Sequence, residues 1–145
     1  MIRPYSSSDQ AAVIRIFKLN TPTYFAPEEQ KDLEEYLAKF VDQYWVIEQD
    51  GEIVGCGGIN FNATKTEGRI SWDFLTPECQ GLGLGRKLTA FRLAEIRKVE
   101  SVKKIVVRTS QLAYAFYAKF GFETLKIKKN YWAPGLDLYH MEMEG

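Results

Sequence analysis

Three glycines in Gln80-Gly81-Leu82-Gly83-Leu84-Gly85-Arg86 join a segment with strand alternation to one with helical period, and that junction is the strongest constraint on the fold. Upstream, Arg69 to Leu75 alternates, placing Ile70, Trp72 and Phe74 on one face and Arg69, Ser71, Asp73 and Leu75 on the other. Downstream, Arg86 to Glu100 carries Leu88, Phe91, Leu93, Ile96 and Val99 among charged residues, without glycine or proline beyond the turn. Strand, glycine turn and helix follow in that order. A helix start exposes unpaired N–H groups and a partial positive charge, and glycine lets both approach an anion. A glycine turn also serves simple packing, so the spacing alone leaves both readings open. The order Q-x-x-G-x-G, without a Gly-Lys-Ser/Thr ending, separates the stretch from nucleoside triphosphate loops, and its depth in the chain separates it from an opening dinucleotide unit.

The flanking sequence is punctuated by elements of ordinary length, with no repeat or linker. Ile2 to Tyr5 reads as a short strand, and Ser6-Ser7-Ser8-Asp9 offers caps for a helix through about Leu19. Asn20 to Ala26 is a connection, and Pro27 opens a second helix with Leu33, Leu37, Phe40, Val41 and Tyr44 on one side. Trp45 to Glu48 and Ile53 to Phe61 flank Asp50-Gly51, a pair suited to a tight hairpin turn. Lys104 to Arg108 reads as a buried strand and Leu112 to Phe120 as a short helix. Thr124 to Lys128 and Leu136 to Met143 read as the last strands, joined by a loop around Asn130-Tyr131-Trp132-Ala133-Pro134.

At 145 residues with 46% apolar content, the chain suits one domain, residues 1–145, with a sizeable core. Lysine plus arginine equals aspartate plus glutamate at 19 each, so there is no global positive field for nucleic acid. No apolar run approaches a membrane span and no signal-peptide core follows Met1, which points to a cytoplasmic protein. Cys56 and Cys79 lack the spacing of a zinc site or disulfide framework, and the single histidine, His140, makes no metal site of known type. His140 reads as a partly exposed strand residue, and no metal is expected.

The glycine stretch has a partner further along. Gln80-x-x-Gly83-x-Gly85 resembles the acyl-CoA pyrophosphate motif of the GNAT N-acetyltransferases. About thirty residues on, Ser110-Gln111-Leu112-Ala113-Tyr114-Ala115-Phe116-Tyr117-Ala118-Lys119-Phe120-Gly121-Phe122 is similar to that family's N-x-x-A-x-x-x-Y-x-x-x-G-F segment, with Ser110 where asparagine is usual. The resemblance implies an α/β (α+β) GNAT fold in the order β-α-α-β-β-β-α-β-α-β-β. Its mixed, mostly antiparallel sheet of about seven strands is flanked by helices, and a splayed strand pair holds acyl-CoA.

The resemblance also assigns roles. Phe74, Leu75 and Thr76 would line the pantetheine arm through backbone groups, and Gly81, Leu82, Gly83, Leu84, Gly85 and Arg86 would present N–H groups to the pyrophosphate. Gln80 leads that motif, although a turn-stabilising role fits it too. Ser110 would contact acetyl-CoA or order water. Acyl transfer to an amine needs a neutral nucleophile, a site for the oxyanion and a proton for the leaving thiolate. Tyr117 matches the family tyrosine near the sulfur, a candidate general acid, while its spacing with Phe116 and Phe120 equally suits a core aromatic. Asp73 is the candidate base, with a surface carboxylate as the plain alternative and Glu67 as a second candidate. Relatives that acetylate ribosomal protein N-termini commonly carry a glutamate on the strand after the motif helix, where this chain has Ile105-Val106-Val107. Tyr24 and Phe25, with Tyr131 and Trp132, would wall the acceptor or pack their loops. The expected activity is acetyl transfer from acetyl-CoA to a small amine or peptide by a monomer or homodimer; a CoA-binding module with weak turnover is the alternative.

Overall fold

Alternating apolar residues build seven strands into a single sheet in the order β1-β2-β3-β4-β5-β7-β6. The computed structural model describes residues 1–145. The strands are β1 (Ile2–Pro4), β2 (Gln43–Gln49), β3 (Glu52–Phe61), β4 (Glu67–Leu75), β5 (Lys104–Thr109), β6 (Glu123–Ala133) and β7 (Leu136–Glu144). The helices are α1 (Gln10–Leu19), α2 (Gln30–Glu35), α3 (Leu84–Arg97) and α4 (Tyr114–Ala118). Every pairing is antiparallel except that of β4 with β5. No helix is long and apolar enough to cross a membrane.

Each face of the sheet carries its own core. Val13, Ile16 and Phe17 of α1 and Leu33 of α2 are fully buried on one face, against Val46, Cys56 and Phe74. Leu88, Leu93 and Ile96 of α3 pack on the other, with Ile59, Ile70, Ile105 and Val107, and Tyr117 of α4 joins them. Each such aliphatic side chain contributes about 2 kcal/mol of apolar burial, which holds the helices to the sheet more firmly than their own propensity. At the start of α1, Arg3 grips Asp9 through two hydrogen bonds of 2.9 and 3.0 Å, and the Ser6 N–H donates to the same carboxylate. These donors hold the Asp9 carboxyl below its ordinary range.

The alternation on β4 does not run unbroken. Cys56 pairs with Phe74 and Gly58 with Ser71, so Trp72 and Asp73 together oppose the single Gly57. Trp72 adopts φ +48°, unusual for a bulky residue. The bulge inverts the facing of everything beyond it. Ile70 lies in the α3-side core while Phe74 lies in the α1-side core, and Trp72 packs with the latter. The strict alternation that put Ile70 and Phe74 on one face is therefore corrected, because an inserted residue shifts the phase by one. Asp73 turns towards α3 as a result.

Other boundaries also move. The second helix does not continue to Tyr44: it passes through one turn of π-helix at Tyr36–Phe40 and ends where Val41 becomes extended. Tyr44 is a buried strand residue of β2, and Phe40 is 58% exposed. The last hairpin is longer than expected. β6 runs through Asn130, Tyr131 and Trp132 to Ala133, and the chain reverses at Pro134-Gly135, with Gly135 at φ +83°. A register shift between Lys128 and Ala133 accommodates Asn130 at φ +55°. The side chain of Asn130 accepts from the Gly135 N–H at 2.7 Å, replacing a ladder bond.

The sheet opens at its centre. β4 and β5 pair only through Glu67–Arg69 and Lys104–Val106, yet β4 continues to Leu75 and β5 to Thr109. Pairing stops at Arg69, and the bulge at Trp72-Asp73 bends the unpaired part of β4, so the gap between the two strands is not filled by backbone.

Candidate active site

The gap between β4 and β5 widens into a cavity of about 910 Å³. Ligands in open sheets lie beyond the carboxyl ends of parallel strands, and this is the only place where two parallel strands part. One end of the cavity is the glycine turn. Gly81 and Gly83 have φ +82° and +83°, and a Cβ at either would meet nothing within 4 Å, so here glycine serves backbone conformation and leaves open space. From Gly81 to Arg86, no backbone N–H reaches an acceptor in the protein; the neighbouring Gln80 and Lys87 N–H groups are bonded to Pro77 and Gly83. Six consecutive free donors at the start of a fourteen-residue helix suit a polyanion.

The turn is anchored from below. The Gln80 side chain donates to Asn20 Oδ1 at 3.2 Å, and Asn20 donates to the carbonyls of Ile16 at 2.9 Å and Leu75 at 2.8 Å. Asn20 is 2% exposed and ties the end of α1 to both the end of β4 and the turn. Thr76 is buried, and its Oγ1 has no partner in the protein. Ser110 is buried as well, its Oγ accepting from the Leu112 N–H at 3.2 Å and shaping the approach to α4.

Asp73 and Tyr117 line the cavity and meet the buried Arg92 behind its wall. The Tyr117 hydroxyl donates to Asp73 Oδ2 at 2.5 Å, and Arg92 Nη2 donates to the same oxygen at 2.5 Å. No protein donor reaches Oδ1. Arg92 has no exposed side-chain surface; its Nη1 donates to the Gly58 carbonyl at 3.3 Å, and its Nε finds no acceptor. A Cβ on Gly57 would sit 3.1 Å from the guanidinium, so the absent side chain there makes room for the cation. Burial raises the Tyr117 phenol well above its ordinary value and the Asp73 charge raises it further, against a smaller lowering by Arg92. Tyr117 therefore carries its proton throughout the physiological range. Cys56, buried behind this group, has its thiol pushed up to about 12 and is not a nucleophile.

The far end is aromatic. Phe25 stacks on Trp72 with ring centroids 6.3 Å apart and meets Phe74 edge-on at 5.7 Å. Trp132 donates its indole N–H to the Thr109 carbonyl at 3.1 Å and borders the opening, with Tyr131 edge-on to it at 5.0 Å.

Of the residues singled out in the sequence, the cavity brings together Tyr24, Phe25, Asp73, Phe74, Leu75, Gln80, Gly81, Gly83, Gly85, Arg86, Ser110, Tyr117 and Trp132. Glu67 also borders it but is engaged with Arg69 and Lys104. Thr76, Leu82, Leu84 and Tyr131 do not line it. Leu84 is buried in the α3-side core, while Leu82 is 66% exposed. Arg92 and Asn20 were not anticipated. Arg92 falls on the apolar side of α3 among Leu88, Leu93 and Ile96, and a charge at such a position is the sequence signal that finds it. Asn20 carries no comparable signal.

The acetyltransferase (GNAT) domain family matches residues 8–145. An N-alpha-acetyltransferase from Sulfurisphaera tokodaii is 30% identical over 97% of this chain and 90% of its own length. Among solved structures, Ard1 from Thermoplasma volcanium superposes with a TM-score of 0.83 at 22% identity, covering 99% of this chain and 96% of that one. An aminoglycoside 6'-N-acetyltransferase complexed with coenzyme A superposes with a TM-score of 0.80 at 12% identity, over 99% and 96% of the two chains.

Proposed function

The chain belongs to the GNAT acetyltransferase family, and from that premise we propose that it moves an acetyl group from acetyl-CoA to a primary amine by direct attack on the thioester. The observation that carries this reading is the run of six acceptor-free N–H groups, Gly81 to Arg86, at the mouth of the same cavity that holds Tyr117 and Asp73. The run suits the pyrophosphate of CoA, and Phe74 and Leu75, which line the same gap, support a pantetheine arm lying between the strands.

The contact between Tyr117 and Asp73 makes the proposed acid and base one hydrogen-bonded unit. The amine nitrogen forms a bond to the acetyl carbon, the carbon–sulfur bond breaks, and the amine proton passes to Asp73, directly or through water. Tyr117 gives its proton to the thiolate and recovers one from Asp73. A phenol with so high a pKa is a poor donor by itself, since phenolate is unstable in this buried site. Simultaneous return of a proton from Asp73 removes that obstacle. Arg92 supplies the charge that lets a half-buried carboxylate sit beside the phenol.

Incubation with labelled acetyl-CoA and a panel of amines and peptides, read as acetyl incorporation together with free thiol, tests the assignment. Transfer to any acceptor supports it; tight CoA binding with no transfer assigns the fold to a CoA-binding module. Gly83→Asp is expected to weaken CoA binding by roughly 10- to 100-fold, because it places a Cβ in a left-handed conformation and a like charge beside the phosphates. Calorimetric titration with CoA checks it, and unchanged affinity would remove the turn from the binding site.

A further inference from the structure

The cavity is bordered by a guanidinium that no carboxylate of the protein pairs with. Arg108 lies on β5 just past the last residue paired with β4, half-buried and bordering the cavity. No carboxylate stands within 4.0 Å of it, and beyond its approach to the Tyr131 hydroxyl none of its N–H groups donates to a protein acceptor. The aromatic rings of Tyr131 and Trp132 stand 5.1 and 5.8 Å from its central carbon. Ring contacts of this kind hold a guanidinium in place without neutralising it, and leave most of its five N–H donors for a ligand.

The neighbouring acids are otherwise engaged. Glu67 pairs with Arg69 and Lys104, Glu142 with Lys104 and His140, and Asp137 with Lys129. Arg69 pairs in register with Val106 and so shares the face of Arg108, about 7 Å back along the strand direction. Arg108, first through its hydrogen-bonding approach to the hydroxyl and then through its charge, lowers the Tyr131 phenol below the ordinary value, with smaller help from Lys128 and Lys126. A chain with no net charge thus places two arginines, Arg69 and Arg108, on this part of the cavity lining.

A planar guanidinium held in place but without a carboxylate partner is the protein half of a bidentate carboxylate contact. We propose that Arg108 is a specificity determinant that binds a carboxylate on the acceptor, so that the amine substrate is an amino acid or an acidic peptide rather than a simple amine. This rests on the acetyl-transfer reading above. The carboxylate has two sources, the α-carboxyl of a free amino acid or an acidic side chain near a peptide N-terminus.

The test compares matched probes at equilibrium, with and without CoA. Alanine, glutamate and phenylalanine are each titrated against their α-amides, and the peptide Ala-Glu-Ala-amide against Ala-Gln-Ala-amide. The wild-type protein is expected to bind the carboxylate member of at least one pair about tenfold more tightly. Arg108→Gln is expected to bring that ratio to about one, and Arg108→Lys to restore part of it. A preference in the free amino acids identifies the α-carboxyl as the source; a preference in the peptides identifies the side chain. No preference in any pair, or a preference that Arg108→Gln leaves intact, overturns the proposal. A ratio within one variant is insensitive to a general loss of folded protein, so a purely structural role for Arg108 would not change it. Because binding is read without turnover, absence of acetyl transfer sinks the proposed function while leaving this result standing.

Discussion

Replacing Arg92 by methionine is expected to lower stability by about 3–5 kcal/mol, seen in urea unfolding as a reduced midpoint with unchanged slope. The guanidinium has no exposed side-chain surface and makes the ion pair to Asp73 and the bond to the Gly58 carbonyl. Methionine fills most of the volume but removes the cation paired with the half-buried Asp73 carboxylate, and that uncompensated charge is the main cost. Adding Asp73→Asn to Arg92→Met is therefore expected to recover at least half of the loss, because the half-buried charge then disappears with its partner. Arg92→Lys keeps the charge and is expected to lose less than methionine. With acetyl-CoA and an accepted amine, kcat should fall about tenfold in Arg92→Met while acetyl-CoA affinity changes little. Arg92 makes no bond to the glycine turn and acts by holding Asp73 against the Tyr117 hydroxyl. Equal loss of kcat and CoA affinity would identify Arg92 as a folding residue only.

Tyr117→Phe is expected to reduce kcat by about 100-fold with acetyl-CoA affinity nearly unchanged, the range typical of losing a positioned proton donor. The ring keeps its contacts with Phe116 at 5.1 Å and Phe122 at 6.0 Å, so the core persists while the proton is lost. The pH–rate profile adds a second constraint. Burial and the Asp73 charge both raise the Tyr117 pKa above 10, so the protonated form persists as pH rises through neutrality, and loss of the acid appears only in the alkaline range above 10. A wild-type profile whose alkaline limb lies below pH 10 and vanishes in Tyr117→Phe would contradict that environment. Unchanged kcat in the variant would remove Tyr117 from the chemistry.

Much of this architecture is visible in one-dimensional patterns. The alternation in Arg69–Leu75, the glycines at 81, 83 and 85, and the apolar period after Arg86 predict strand, turn and helix, and β4, the turn and α3 follow in that order. The Asp50-Gly51 hairpin is present, with both residues at positive φ. Local patterns lose their force where non-local contacts decide. Tyr44 looks helical because it continues the spacing of Leu33 and Leu37, yet pairing with Gly58 takes it into β2. Asn130–Ala133 reads as a loop, but the ladder with β7 and the side-chain bond from Asn130 to Gly135 extend the strand through it.

By itself, the sequence determined the order of the elements, the family and the position of the glycine turn, because these depend on residue spacing and backbone freedom along the chain. Only the tertiary structure decided which side chains meet. Two residues of β4 opposite one of β3 reverse the facing of Asp73, so a carboxylate that strict alternation puts on the opposite face from Ile70 turns towards α3. There it meets Arg92, from nineteen residues along the chain, and Tyr117, from forty-four. A bulge leaves hydrophobic spacing almost undisturbed but inverts every direction beyond it, and that phase is set by pairing with a neighbouring strand, which no local pattern records.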